Sequence, residues 1–260
     1  MKIEFPTKFD ICYPEKNLKY YNISNKEKIL NPLLKSCDYY CMYCGKSIKV
    51  DNKTSYNIEH SLEKSMCLDN NNFLKHCKFN LSISCPDCNQ KYKTRMIDNV
   101  DKKLLKKDPK CGEKKCIEPC EIFYKILEDY LSKNKIILQP NSIKSILNDY
   151  KINYNLIKHI FVPNDNCTDD EKFFISEHIA RFHLNREMYT ESILNICEKI
   201  INNIDTLNWI ITISQLFSII KKERYDNILE KKFIDFLQNN FSDIQKLYDF
   251  CELSIVISYI

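Results

Sequence analysis

Cys41-Met42-Tyr43-Cys44-Gly45, then Ile58-Glu59-His60, then Asn80-Leu81, then Cys85-Pro86-Asp87-Cys88-Asn89: four short motifs follow in this order between positions 41 and 89. Two Cys-x-x-Cys pairs roughly forty residues apart have the spacing of a structural zinc site. Gly45 follows the first pair, where the turn calls for a positive φ that a Cβ opposes. Pro86 follows Cys85, and proline suits the first position of a helix because it lacks only an amide hydrogen that is unpaired there anyway. Cys85 is therefore expected at a helix start, with Cys88 and Asn89 in the first turn, where the helix dipole favours thiolate. The leading reading puts zinc on Cys41, Cys44, Cys85 and Cys88; redox or iron–sulfur use of the same thiols is the alternative. Cys37, four residues earlier, is read as a spare thiol.

A zinc ion closed by four protein ligands has no open position for chemistry. Glu59, His60 and Asn89 are surplus to such a site, and their side chains suit phosphodiester hydrolysis. A neutral imidazole with a pKa near 6.5 can activate water at physiological pH. A carboxylate and a carboxamide can hold a hard divalent ion beside a phosphate.

Residues 37–97 resemble the HNH endonuclease family, in the subgroup whose ββα-metal motif is stapled by zinc. The resemblance rests on Cys41-x2-Cys44, Ile58-Glu59-His60, Asn80-Leu81 and Cys85-x2-Cys88-Asn89. It implies a β-hairpin followed by a helix, with His60 as general base, Glu59 and Asn89 holding one Mg²⁺ or Mn²⁺, and Asn80 fixing the loop. The family usually has lysine three residues after the final asparagine, where this chain has Tyr92; Lys91 and Lys93 flank it and are the expected phosphate contacts. The whole arrangement, with Arg181-Phe-His-Leu-Asn-Arg186 in a helical tail, is similar to HNH components of bacterial antiphage systems. The Septu-type nuclease subunit, which works beside an ATPase partner, is the nearest likeness. It implies that the C-terminal helices dock that partner. A zinc module that only binds nucleic acid, or a stand-alone restriction or homing-type nuclease, remains open.

The rest of the chain sets bounds. With 260 residues and 44% hydrophobic composition, one large domain or two small ones can build a core. Fourteen cysteines read as thiols and metal ligands rather than disulfides, in a chain expected to be cytoplasmic. Cys111, Cys116 and Cys120 read as loop thiols rather than a second metal site. No apolar run reaches the ~18 residues of a membrane span, and Leu207 to Ile220 is read as a buried helix. From Cys41 to Lys115 there are 16 Lys and Arg against 9 Asp and Glu, a local +7; the remainder is 23 − 26 = −3. This positive segment suits a polyanion such as nucleic acid, although a solvated lysine face would read the same way; the expected nucleic-acid partner of the nuclease reading is DNA.

The expected class is α+β: a small zinc-stapled ββα-metal unit with an N-terminal arm and a mainly α-helical C-terminal region. Residues 1–36 form the arm, with a helix capped by Ser24 and Glu27 and stopped at Asn31-Pro32. Residues 37–107 form the nuclease domain, closing on a basic helix over 98–107; 108–120 form a linker, and 121–260 the helical domain. Helices are expected from the Thr168–Glu171 and Ser242–Gln245 capping boxes, and a short strand over Ile136–Leu138. His76, His159, His178 and His183 read as packing or surface residues.

Overall fold

The computed structural model describes residues 1–260 except 17, 51–52, 67–72, 94–99, 107–115, 142–149, 223 and 260. Its strands are β1 (Lys2–Phe5), β2 (Lys49–Val50), β3 (Lys53–Thr54), β4 (Asn57–His60), β5 (Leu81–Ser84), β6 (Ile152–Asn155) and β7 (Ile160–Pro163). Its helices are α1 (Ile23–Ser36), α2 (Phe73–His76), α3 (Lys102–Leu105), α4 (Glu121–Asn134), α5 (Asp169–Arg181), α6 (Glu187–Thr206), α7 (Ile213–Ile220), α8 (Ile228–Asn240) and α9 (Ile244–Ile257). The class is mixed α and β. No helix of the described residues is long and apolar enough to cross a membrane.

The chain divides into two units, at different places from those expected. One comprises Met1–Phe5, Ile152–Val162 and His183–Ile260; the other comprises Pro6–Lys151 and Pro163–Phe182. The 108–120 loop, of which 108–115 lie outside the described residues, is not the division. Helix α4 belongs with the cysteine segment, and it contributes a buried stripe of Phe123, Ile126, Leu127, Tyr130 and Leu131. Likewise the first five residues of the expected arm join the C-terminal unit, where β1 pairs antiparallel with β6 from Lys2↔Asn155 to Phe5↔Ile152.

In that C-terminal unit, strands run in the order β1-β6-β7. Phe161 links the sheet to the helices, with ring centroids 5.1 Å from Phe5, 5.0 Å from Tyr154 and 5.1 Å from Tyr189. Helix α6 buries Tyr189, Ile193, Ile196, Cys197, Ile200 and Ile204, the three-to-four spacing of one helical face. The Leu207–Ile220 run is not one helix. Asn208 and Trp209 take φ of 47° and 63°, ending α6, and Thr212 with Gln215 forms a capping box that starts α7.

In the other unit, α1 runs through Pro32 instead of stopping there, and its N-cap is Asn22 rather than Ser24. An internal proline costs about 3 kcal/mol. Burial of Ile29, Leu30, Leu33 and Leu34, at about 1.5–3 kcal/mol each, outweighs it. The capping box at Thr168 and Glu171 opens α5 as expected, whereas α9 is capped by Asp243 rather than Ser242. The basic helix shrinks to α3 within its described part, capped by Asp101. Ile136–Leu138 is buried but irregular, not a strand.

The irregular backbone there is satisfied by a side chain. The Ile137 amide donates to Nδ1 of His178 at 3.1 Å, so the imidazole must be neutral with its proton on Nε2. Burial holds His178 down to about 3, against an ordinary 6.5. Below pH 6.5 the unfolded chain takes up a proton that the folded chain refuses, so stability falls as pH drops from about 6.5 towards 3. His178→Asn keeps an acceptor near the Nδ1 position but does not titrate. Its urea midpoint is expected to fall less than the parent's between pH 7 and pH 5, by about 1.4 kcal/mol per pH unit in stability. An equal fall in both would show that this imidazole is charged in the fold.

Candidate metal and hydrolytic centre

The four cysteines of the paired motifs come together. Their sulfurs all lie within 4.8 Å of one another and all four residues are buried. The Cys41–Cys44 turn closes through Gly45, whose amide donates to the Cys41 carbonyl at 2.8 Å and whose φ is 71°. The Met42 amide donates to Ile83 of β5 at 3.0 Å, which ties this turn to the strand leading to Cys85. Pro86 and Asp87 begin a short helix, and the Asn89 amide donates to the Cys85 carbonyl at 3.2 Å.

The cluster is positioned to hold a metal ion. Cys44 and Cys85 sulfurs stand 3.8 Å apart, and tetrahedral Zn–S bonds of about 2.3 Å separate sulfurs by about 3.8 Å. Hydrogen bonds from Cys41, Cys44 and Cys88 pull the Cys85 thiol down, while burial pushes Cys41 up. Four thiolates cannot coexist in so small a buried volume without a cation, which is the charge state a dication stabilises. Cys37 stands aside, its thiol donating to Leu34 at 3.6 Å. Among the described residues no other group of three ligand atoms is as close; Cys111 lies outside them.

Beside the cluster, β4 and β5 pair antiparallel with Glu59 opposite Ser82 and His60 opposite Leu81. This pair followed by the Pro86 helix matches the expected strand–strand–helix order, although the strands are joined by residues 61–80 rather than a tight turn. Asn80 organises that connection. Its carboxamide accepts from the Leu62 amide at 2.7 Å and donates to the carbonyls of Leu62 at 2.7 Å and Leu74 at 2.9 Å. With 0% exposure, each lost bond costs about 1–3 kcal/mol. Asn80→Ala is expected to lower stability by roughly 3–5 kcal/mol and the melting temperature by roughly 10 °C. A melt within 2 °C or so of the parent would mean that the loop does not depend on this side chain.

Glu59, His60 and Asn89 line one cleft of about 510 Å³, together with Lys93, Tyr21, Glu63, Lys64 and Gln90. His60 Nε2 lies 3.1 Å from the Lys75 carbonyl, an acceptor only, so Nε2 carries the proton and Nδ1 the free lone pair. The Tyr21 ring packs edge-on against His60 at 4.7 Å. Burial lowers His60 to about 4, with the positive charges of Lys64 and Lys93 adding to it.

Glu59 is 2% exposed and fully engaged. One carboxylate oxygen accepts from Tyr43 at 2.9 Å and Ser82 at 2.6 Å; the other accepts from the Lys93 ammonium. Lys93 also donates to the carbonyls of His60 and Ser61. The expected phosphate role of Lys93 is therefore not what its position supports. Residues Cys88–Tyr92 form a π-helical turn in which the Lys93 amide reaches back five residues to Cys88 at 3.0 Å. Lys93 then leaves in an extended conformation and turns inward, so the four-residue spacing from Asn89 no longer places it on the same outer face. Lys91 is exposed and pairs with Asp87 at 2.8 Å; it is not among the residues lining the cleft.

Sequence reasoning missed Tyr43, Ser82, Tyr21, Glu63 and Lys64. Tyr43 lies between the two cysteines of the first turn and links the metal cluster directly to Glu59. Ser82 could have been found as the strand neighbour of Glu59 had the register been known. Nothing local marks Tyr21. The chain matches no known protein-family model, no curated protein and no solved structure.

Proposed function

We propose that this chain is a metal-dependent endonuclease of the HNH type that hydrolyses phosphodiester bonds in DNA, stapled by a structural zinc on Cys41, Cys44, Cys85 and Cys88. The observation that carries the reading is one cleft lined by Glu59, His60 and Asn89, with Asn89 directly following Cys88 of the four buried thiols.

The residues fit a hard divalent ion. Glu59 already holds a cation, the Lys93 ammonium, in a buried position, and the Asn89 carboxamide lines the same cleft. When bound, Mg²⁺ or Mn²⁺ supplies positive charge beside the scissile phosphate and the leaving oxygen. The chain does the rest. His60 Nδ1 takes the proton of the attacking water, since Nε2 is occupied with Lys75. Asn80 keeps the backbone after His60 in place, and Tyr43 and Ser82 hold the Glu59 carboxylate at one oxygen. Holding such an ion would require the other oxygen, which accepts from the Lys93 ammonium, to be free of it.

The same reading makes the chain the effector nuclease of an antiphage complex, with an ATPase partner docked on its helical C-terminal region. Support comes from apolar side chains there that face solvent, Trp209 at 40% and Ile210 at 87% exposure. A second reading, a zinc module that binds nucleic acid without cutting it, is favoured by the Lys93 ammonium on Glu59. Incubating the purified chain with supercoiled plasmid separates the two. Nicking that needs Mg²⁺ or Mn²⁺ and stops in excess chelator supports the nuclease, and intact plasmid with tight binding supports the module.

A further inference from the structure

Among the described residues the cleft is lined by two carboxylates, Glu59 and Glu63, so a phosphate entering it gains from a cation held at the same place. Of the two lysines among the described residues lining the cleft, Lys93 is committed to Glu59 and is 3% exposed at its side chain. Lys64 is different. It stands on a short 3-10 turn, Lys64–Met66, is exposed, and rests against a neutral phenol. Its ammonium lies 4.9 Å from the centre of the Tyr21 ring and 3.5 Å from the Tyr21 hydroxyl. Contacts of this kind fix where an ammonium sits without cancelling its charge.

The same Tyr21 ring packs against His60. One aromatic side chain from the N-terminal segment thus sets two things: the face of the imidazole and the place of a positive charge next to it. We propose that Lys64 binds a backbone phosphate of the nucleic acid next to the one being cut. Tyr21 is the positioning residue that holds Lys64 and His60 in a fixed relation. The proposal rests on the nuclease reading for its meaning, but it is tested by binding rather than cutting. Lys64 was not among the lysines the sequence suggested, because its role depends on a contact with Tyr21, forty-three positions away.

The test measures affinity of the full chain for a short DNA duplex, without divalent ion, across a series of salt concentrations. Each lysine–phosphate contact contributes about 0.9 to the slope of log affinity against log salt. Lys64→Gln is expected to reduce that slope by about one contact and to weaken binding similarly for unrelated sequences. In cleavage assays its KM is expected to rise by a larger factor than kcat falls. Tyr21→Phe keeps the ring on His60 but removes the hydroxyl and should weaken binding less than Lys64→Gln; Tyr21→Ala should additionally lower kcat. The proposal is overturned if Lys64→Gln binds with the parent's slope, or if the parent's affinity for duplex is insensitive to salt. His60→Ala serves as the control for the underlying reading. It should keep the parent's salt slope while losing cleavage, so a His60→Ala variant that still cuts sinks the nuclease reading without touching the Lys64 result.

Discussion

Cys85→Ser is expected to yield a chain that neither holds the proposed zinc nor keeps the unit of Pro6–Lys151 and Pro163–Phe182 folded. The variant loses one of four thiolates, and the remaining three cannot close a tetrahedral site. The stake is large, because structural zinc sites contribute on the order of 10–16 kcal/mol of apparent binding free energy near neutral pH, more than the stability of a typical domain. Among the described residues, the strand end is held to the first cysteine turn by the Met42 amide bond to Ile83, by Tyr43 and Ser82 meeting on one oxygen of Glu59, and by the packing of the buried sulfurs, and these are modest beside the metal. Elemental analysis of the purified parent should give about one zinc per chain, and of the variant close to none. Its thermal transition should broaden or vanish, and chelator should drive the parent to the same state. A Cys85→Ser chain with full zinc and an unchanged melt would show that this ligand set is wrong.

His60→Ala is expected to abolish nicking, by a factor of roughly 100 to 10,000 in kcat, while zinc content stays the same. The imidazole is bound to Lys75 and packed by Tyr21, so its removal leaves a cavity at the cleft rather than in the core. Melting should therefore shift by only a few degrees, far less than for Asn80→Ala. The pH profile adds a sign. Burial holds His60 near 4, so the base stays neutral between pH 5 and 8 and no acid limb from this group is expected in that window. A cleavage rate that halves near pH 6.5 in the parent and loses that dependence in the variant would show an imidazole with an ordinary pKa instead.

Much of this centre was legible because its signals are local. Cys-x-x-Cys spacing, the glycine after one pair and the proline after the other are dictated by turn and helix-start geometry within five residues, and the structure reproduces each. Asn80 was read as a loop holder, and it makes three buried hydrogen bonds in that loop. What failed depends on distant contacts. The inward turn of Lys93 follows from a π-helical turn that no sequence pattern announces. The course of α1 through Pro32 was decided by the buried Ile29, Leu30, Leu33 and Leu34 rather than by local propensity. The division of the chain was misplaced because β1, at the first residues, pairs with β6 about 150 positions later, and such long-range pairing leaves no trace in a local window.

In the proposed nuclease, Glu59 and Asn89 share one divalent ion within reach of the His60 imidazole. The most direct measurement is diffraction from crystals soaked in Mn²⁺, with data collected for its anomalous signal. One strong peak is expected between the Glu59 carboxylate and the Asn89 carboxamide, with the Lys93 ammonium moved off Glu59. Crystals of an active preparation that show no peak there, with Lys93 still seated on Glu59, would contradict it.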